Sequence, residues 1–178
     1  MKKTIAILAA LVLMLASVSG LAEETEVPTF TGGVQFNMDM DQVMQIINRP
    51  NYEIESERTR GTVEFYELEY EDFPAAEGCT ADVTYLFVGN SLIAIRFDMA
   101  DGVGYEQAKV LFTAEYGDAV PFDAALIGNG RYAIDDDGDL KDCREMIVAE
   151  GFVVVLEQDH DGDVDVTILD TTAAYINH

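Results

Sequence analysis

The chain has no tryptophan, two histidines, two cysteines and ten lysines and arginines against 34 acidic residues. Each scarcity removes a class of function. Phosphate contacts need clustered Lys and Arg, so nucleic-acid binding is set aside. Without Trp the usual stacking platform for carbohydrate is missing. No zinc-ligand spacing and no glycine-rich phosphate loop occurs in the sequence. Its longest apolar run, within Thr4–Ala16, is shorter than the roughly 20 residues that span a bilayer, so no membrane span is expected.

That run instead follows Lys2 and Lys3 and precedes the small residues of Gly20-Leu21-Ala22. A positive start, an apolar middle and a small-residue end form a secretory signal, here residues 1–22. No cysteine stands at the cleavage point, so the expectation is a secreted or extracytoplasmic protein without a lipid anchor. Cleavage would leave 156 residues and, with both lysines gone, take the formal charge from −24 to −26. Residues 23–29 (EETEVPT) read as a disordered lead-in, and 30–178 as one domain. The charge repels anionic surfaces and attracts a basic protein partner or divalent cations. Cys79 and Cys143 are expected to pair, since exported proteins oxidise their thiols; two independent buried thiols are the alternative.

Along the chain, Asp39 and Gln42 form a capping box that opens a helix. Val43, Met44, Ile46 and Ile47 give its apolar stripe, and Asn48 and Pro50 end it. Residues 62–71 (TVEFYELEYE) form a strand whose apolar phase flips between Phe65 and Tyr66, through a bulge or through burial of both faces. The stretches 81–88 and 92–99 flank Gly89-Asn90-Ser91 as a hairpin, with Ile93, Ile95, Phe97 and Met99 expected on one face. Tyr105–Tyr116 is a helix. Residues 118–130 read as a loop, Arg131–Ile134 as a strand and 135–139 as a turn. The stretch 140–148 fits a helix or a strand, with strand favoured for its second half; 152–158 and 164–169 are strands. The result is an α+β domain: an antiparallel sheet, two helices on one face (30–118), and a C-terminal β-hairpin extension (119–178).

Candidate chemistry is sparse. Outside the signal, Ser56 and Ser91 are the only serines and His160 and His178 the only histidines, which gives a Ser-His-Asp triad poor scaffolding. Nothing near Cys143 activates it toward His160. Glu67 and Glu69 lie two apart on one strand face, about 7 Å along the backbone, within the separation glycosidases use. Such pairs are far more often a solvated sheet face, so a non-enzyme is expected.

The stretch 157–165 (EQDHDGDVD) resembles a calcium loop, which needs oxygen ligands at positions 1, 3, 5, 7, 9 and 12 around a Gly at 6. With Gly162 at 6, position 12 is Ile168; with Gly138 at 6, positions 1 and 12 are Ala133 and Arg144. Both acidic turns fail the motif. A low-affinity calcium site at Asp159, Asp161, Asp163 and Asp165 is the alternative to a plain hairpin turn. Tyr66, Tyr70, Tyr85, Phe87 and Phe97 recur on strands, where core packing is expected for most of them.

Phe36-Asn37-Met38-Asp39, followed by Val43, Ile46-Ile47 and Asn48-Arg49-Pro50, resembles the opening motif of the beta-lactamase-inhibitor-like superfamily, which includes the small outer-membrane-assembly lipoproteins. Tyr85-Leu86-Phe87 with Leu92 and Ile95 is similar to its central hairpin, and Tyr116-Gly117 to its second helix end. Asn37 and Asn48 stand where that pattern has glycines, and the lipoprotein cysteine is missing. The resemblance covers residues 30–118. It implies a non-catalytic exported module that binds another protein, often through an exposed sheet face; a calcium-responsive envelope protein and a paired-carboxylate enzyme are the competing readings. No inhibitor contact residue has a match here, so lactamase inhibition is not implied.

Overall fold

Strand alternation and two signed helices assemble into one eight-stranded antiparallel sheet in the order β1-β2-β3-β4-β8-β7-β6-β5. We describe it from a computed structural model, covering residues 30–60, 63–76, 79–134 and 139–173. The signal and lead-in segments, the Asp135–Gly138 part of the first acidic turn and His178 lie outside these. The strands are β1 (Glu53–Arg60), β2 (Val63–Ala76), β3 (Cys79–Val88), β4 (Ser91–Met99), β5 (Ala119–Pro121), β6 (Cys143–Ala149), β7 (Phe152–Glu157) and β8 (Asp165–Asp170). The helices are α1 (Met40–Ile47), α2 (Tyr105–Tyr116) and the single turn α3 (Arg131–Ile134).

The α+β architecture inferred from the sequence is the one found. Asp39 accepts from the Gln42 N–H at 2.8 Å and the Gln42 side chain accepts from the Asp39 N–H at 2.9 Å, so the capping box is complete. Asn48 ends α1 in the left-handed conformation (φ 48°), which Asn tolerates better than most residues. Helices α1 and α2 pack on one face, over Leu68, Tyr70, Val83, Tyr85, Phe97, Val154 and Ile168. Residues Val43, Tyr105, Ala108 and Phe112 supply the helical side of that core.

The second face carries its own core. Ile127, Ala133 and Ile134 pack there on Phe65, Leu86, Ala94, Met146, Val153, Val155 and Leu169. This cover is the segment read from sequence as a loop and a strand. Residues 124–130 instead form two 3-10 turns and 131–134 a helical turn. Four residues with both apolar and polar members fit either period, and packing on β8 decides. The phase flip in β2 is resolved as burial on both faces: Phe65 faces the second core and Leu68 the first, with unbroken pairing of Phe65 to Val88 and Tyr66 to Phe87. Ile93 does not share a face with Ile95, Phe97 and Met99, because a register shift between Leu86 and Phe87 turns it to the second core. The C-terminal hairpin is built into the sheet, with β8 paired to β4 from Asp98–Asp165 to Ala94–Leu169.

The disulfide expectation is corrected. Cys79 and Cys143 are not joined in a disulfide. They open β3 and β6, four strand spacings apart, about 19 Å at the usual ~4.8 Å per strand. A disulfide needs Cα atoms within about 7 Å. They also lie in different cores, one on each face.

Two buried phenols make a testable feature of the first core. Tyr70 and Tyr85 meet edge to face at 6.0 Å, and neither hydroxyl finds a hydrogen-bond partner among the described residues. Burial pushes both phenols above their ordinary range. A buried hydroxyl without a partner costs roughly 1–3 kcal/mol. Tyr85→Phe is therefore expected to hold or raise stability, by about 1 kcal/mol, in thermal denaturation. A loss of that size would show the hydroxyl to be bonded.

Candidate functional site

Sheet register gathers polar residues that are far apart in sequence. Glu53 pairs with Glu69, Glu69 with Thr84, Thr84 with Arg96, and Arg96 with Thr167. One row along, Asp82 pairs with Asp98 and Asp98 with Asp165. Both rows lie on the face opposite α1 and α2, beside the second core. Outside β1, each of these residues is the polar member of an apolar alternation. Only the order of the strands brings them together.

At the acidic row, burial lifts the Asp98 carboxyl, and Asp82 and Asp163 lift it further, while Arg96 opposes them. Burial likewise raises Asp165, to about 6, with Asp98 adding to the rise and Arg96 reducing it. Asp82 is engaged as an acceptor for the Asp72 N–H at 2.8 Å. On the helix face, Glu145 takes 2.7–3.0 Å contacts from Lys109 and the Tyr105 hydroxyl, and the Lys109 bond chiefly holds its carboxyl below the ordinary range.

The EQDHDGDVD stretch is a hairpin turn between β7 and β8. Asp159 Oδ1 accepts from the N–H groups of Asp161, Gly162 and Asp163 at 2.8–2.9 Å, and the Asp159 N–H donates to the Asp163 carbonyl at 3.1 Å. Burial alone would raise its carboxyl; the three N–H donors outweigh that and lower it. Of the four aspartates considered for calcium, the turn brings together two, joined by a histidine. Asp159, His160 and Asp161 bring ligand atoms within 4.8 Å of one another, but Asp163 and Asp165 do not join them. Asp159 spends one oxygen on closing the turn, and Asp165 belongs to the β8 row.

Glu67 and Glu69 share a face as read, but unequally. Glu67 is buried, at 6% exposure, under the sheet's own side chains, whereas Glu69 is half-buried. Glu69 lines a shallow, open groove of about 200 Å³ with Asn51, Tyr52, Glu53 and Glu71. Strand β1 forms its rim. That strand was missed in the sequence, because EIESERTR carries one apolar side chain and no alternation. It has β2 on one side and, among the described residues, no strand on the other. Tyr52 (41% exposed), just before it, and Ile54 (55%), within it, stand open. Tyr66, Tyr70, Tyr85, Phe87 and Phe97 belong to the first core instead, all buried except the half-buried Tyr66.

The fold and this rim define an α+β protein on a single open sheet, with an acidic groove at its outer strand. No protein-family model, no curated protein and no solved structure matches the chain. Among the described residues no helix is long and apolar enough to cross a membrane.

Proposed function

We propose that the protein is an exported, non-catalytic interaction module that binds another protein through the outer edge of its sheet. The observation that carries this reading is β1, an eight-residue strand that among the described residues has a strand neighbour on one side only, with two large apolar side chains exposed, Tyr52 just before it and Ile54 within it. A strand edge presents backbone donors and acceptors that a second chain can pair with. The signal-like N-terminus and the likeness of 30–118 to exported binding modules support the same reading. A photo-crosslinking residue at position 54, compared with one at Val110, tests it. Val110 is similarly exposed, at 65%, but lies on α2. Expressed in the source cell, the position-54 chain is expected to give a discrete crosslinked protein adduct that the position-110 chain lacks. Identical patterns from the two positions would overturn the reading.

A further inference from the structure

Resting on that reading, we propose that the occupant of the β1 edge is an extended segment rich in Lys or Arg, added as a ninth strand along the Asn51–Glu55 end. The edge supplies the backbone pairing, and its side chains choose the charge. Glu53 and Glu69 are cross-strand partners, with Glu71 two residues further on, all at one groove. A cation arriving along the edge meets these carboxylates within one groove. Glu53 and Glu71 are exposed, and so is Tyr52, whose ring offers apolar surface to an incoming side chain. Arg49 lies over the Phe73 ring at 5.2 Å and donates to the Asp72 carbonyl at 3.4 Å, on α1's side of the sheet.

The opposite end of β1 is less suited to strand addition. The register with β2 shifts between Glu55 and Arg58, and a bulge of that kind twists an edge away from an incoming strand. The other sheet edge, β5, has three residues and ends in Pro121, which has no N–H to offer. A partner with alternating basic and apolar residues would place its cations toward Glu53, Glu69 and Glu71 and its apolar side chains toward Tyr52 and Ile54, because side chains alternate across a strand.

The test titrates the chain lacking residues 1–22 with three ten-residue peptides at low salt: alternating Lys and Val, alternating Glu and Val, and the Lys–Val peptide with N-methylated backbone on alternate residues. Saturable 1:1 binding is expected for the first alone. The double substitution Glu53→Gln, Glu71→Gln should weaken it about 10-fold, the equivalent of about 1.4 kcal/mol. Equal binding of the Glu–Val peptide overturns the charge assignment. Equal binding of the N-methylated peptide overturns strand addition. Self-association of the chain with no peptide binding would assign the edge to a second copy and overturn the proposal. A position-54 adduct together with failure of all three peptides would sink this inference and leave the interaction reading standing; loss of the adduct would sink both.

Discussion

Replacing Arg96 with methionine is expected to destabilise the fold by about 2–3 kcal/mol at pH 7.5 and by clearly less at pH 5. Removing one partner from a buried charge group costs about 3–5 kcal/mol; here Arg96 and Asp165 are only half-buried and Asp98 is exposed, so solvent screening brings the cost below that range. Its guanidinium is the charge that opposes the rise of both Asp98 and Asp165. The pH dependence follows from the direction of those rises. Asp165 is lifted in the folded protein to about 6, from an ordinary value of 3.8. The folded state therefore holds that proton more tightly than the unfolded chain. Stability on this account rises as pH falls from about 7 toward 4, and the cost of the ionised carboxylate is fully present above pH 7. Without Arg96 the cost is larger and the slope steeper. Urea denaturation of both chains at pH 7.5 and pH 5 measures this. An equal loss at the two pH values would mean that Arg96 acts only by packing its aliphatic stem.

Gly130→Ala is expected to cost about 1–3 kcal/mol, the range for overfilling a packed core. Gly130 is buried where the 3-10 turn meets β8, and a Cβ there would stand 2.5 Å from Leu169 Cδ2. The requirement is for space, since the Gly130 φ lies outside the left-handed region. Leu169 is fully buried, so its side chain has little room to withdraw. Leu169→Ala alone should cost about 2–5 kcal/mol by opening a cavity. Combined, the two changes should cost less than their sum, by about 0.5–3 kcal/mol of coupling. Strict additivity in thermal or urea denaturation would show that the turn does not rest on Leu169 as described.

These two positions also show where sequence reasoning stops. Helix α1 was legible because Asp39, Gln42, Asn48 and Pro50 each carry a local signal. The β3–β4 hairpin was legible because period-two alternation survives in β3 around Gly89-Asn90-Ser91, and β7–β8 because two short apolar runs flank an acidic turn with a glycine. Gly130 gives no local sign that it must be small, because the atom it faces is 39 positions away, in β8. Arg96 and Asp98 carry no local sign of a role, and their meeting with Asp165 depends on β8 inserting beside β4. That insertion is set by which apolar faces bury best, a property of the whole sheet. The β1 edge was hidden for the opposite reason. An outer strand with little to bury needs little apolar alternation, so its sequence resembles a charged loop. The disulfide argument failed because compartment says only whether thiols oxidise, whereas strand order decides whether they can meet.

The central claim, that β1 receives a partner strand, is tested most directly by amide hydrogen exchange across the sheet with and without a saturating Lys–Val peptide. The account predicts slowed exchange concentrated at residues 53–55, with the β5 edge and the turn at 158–164 unchanged. Unchanged exchange along β1, or protection centred on the acidic turn instead, would contradict it.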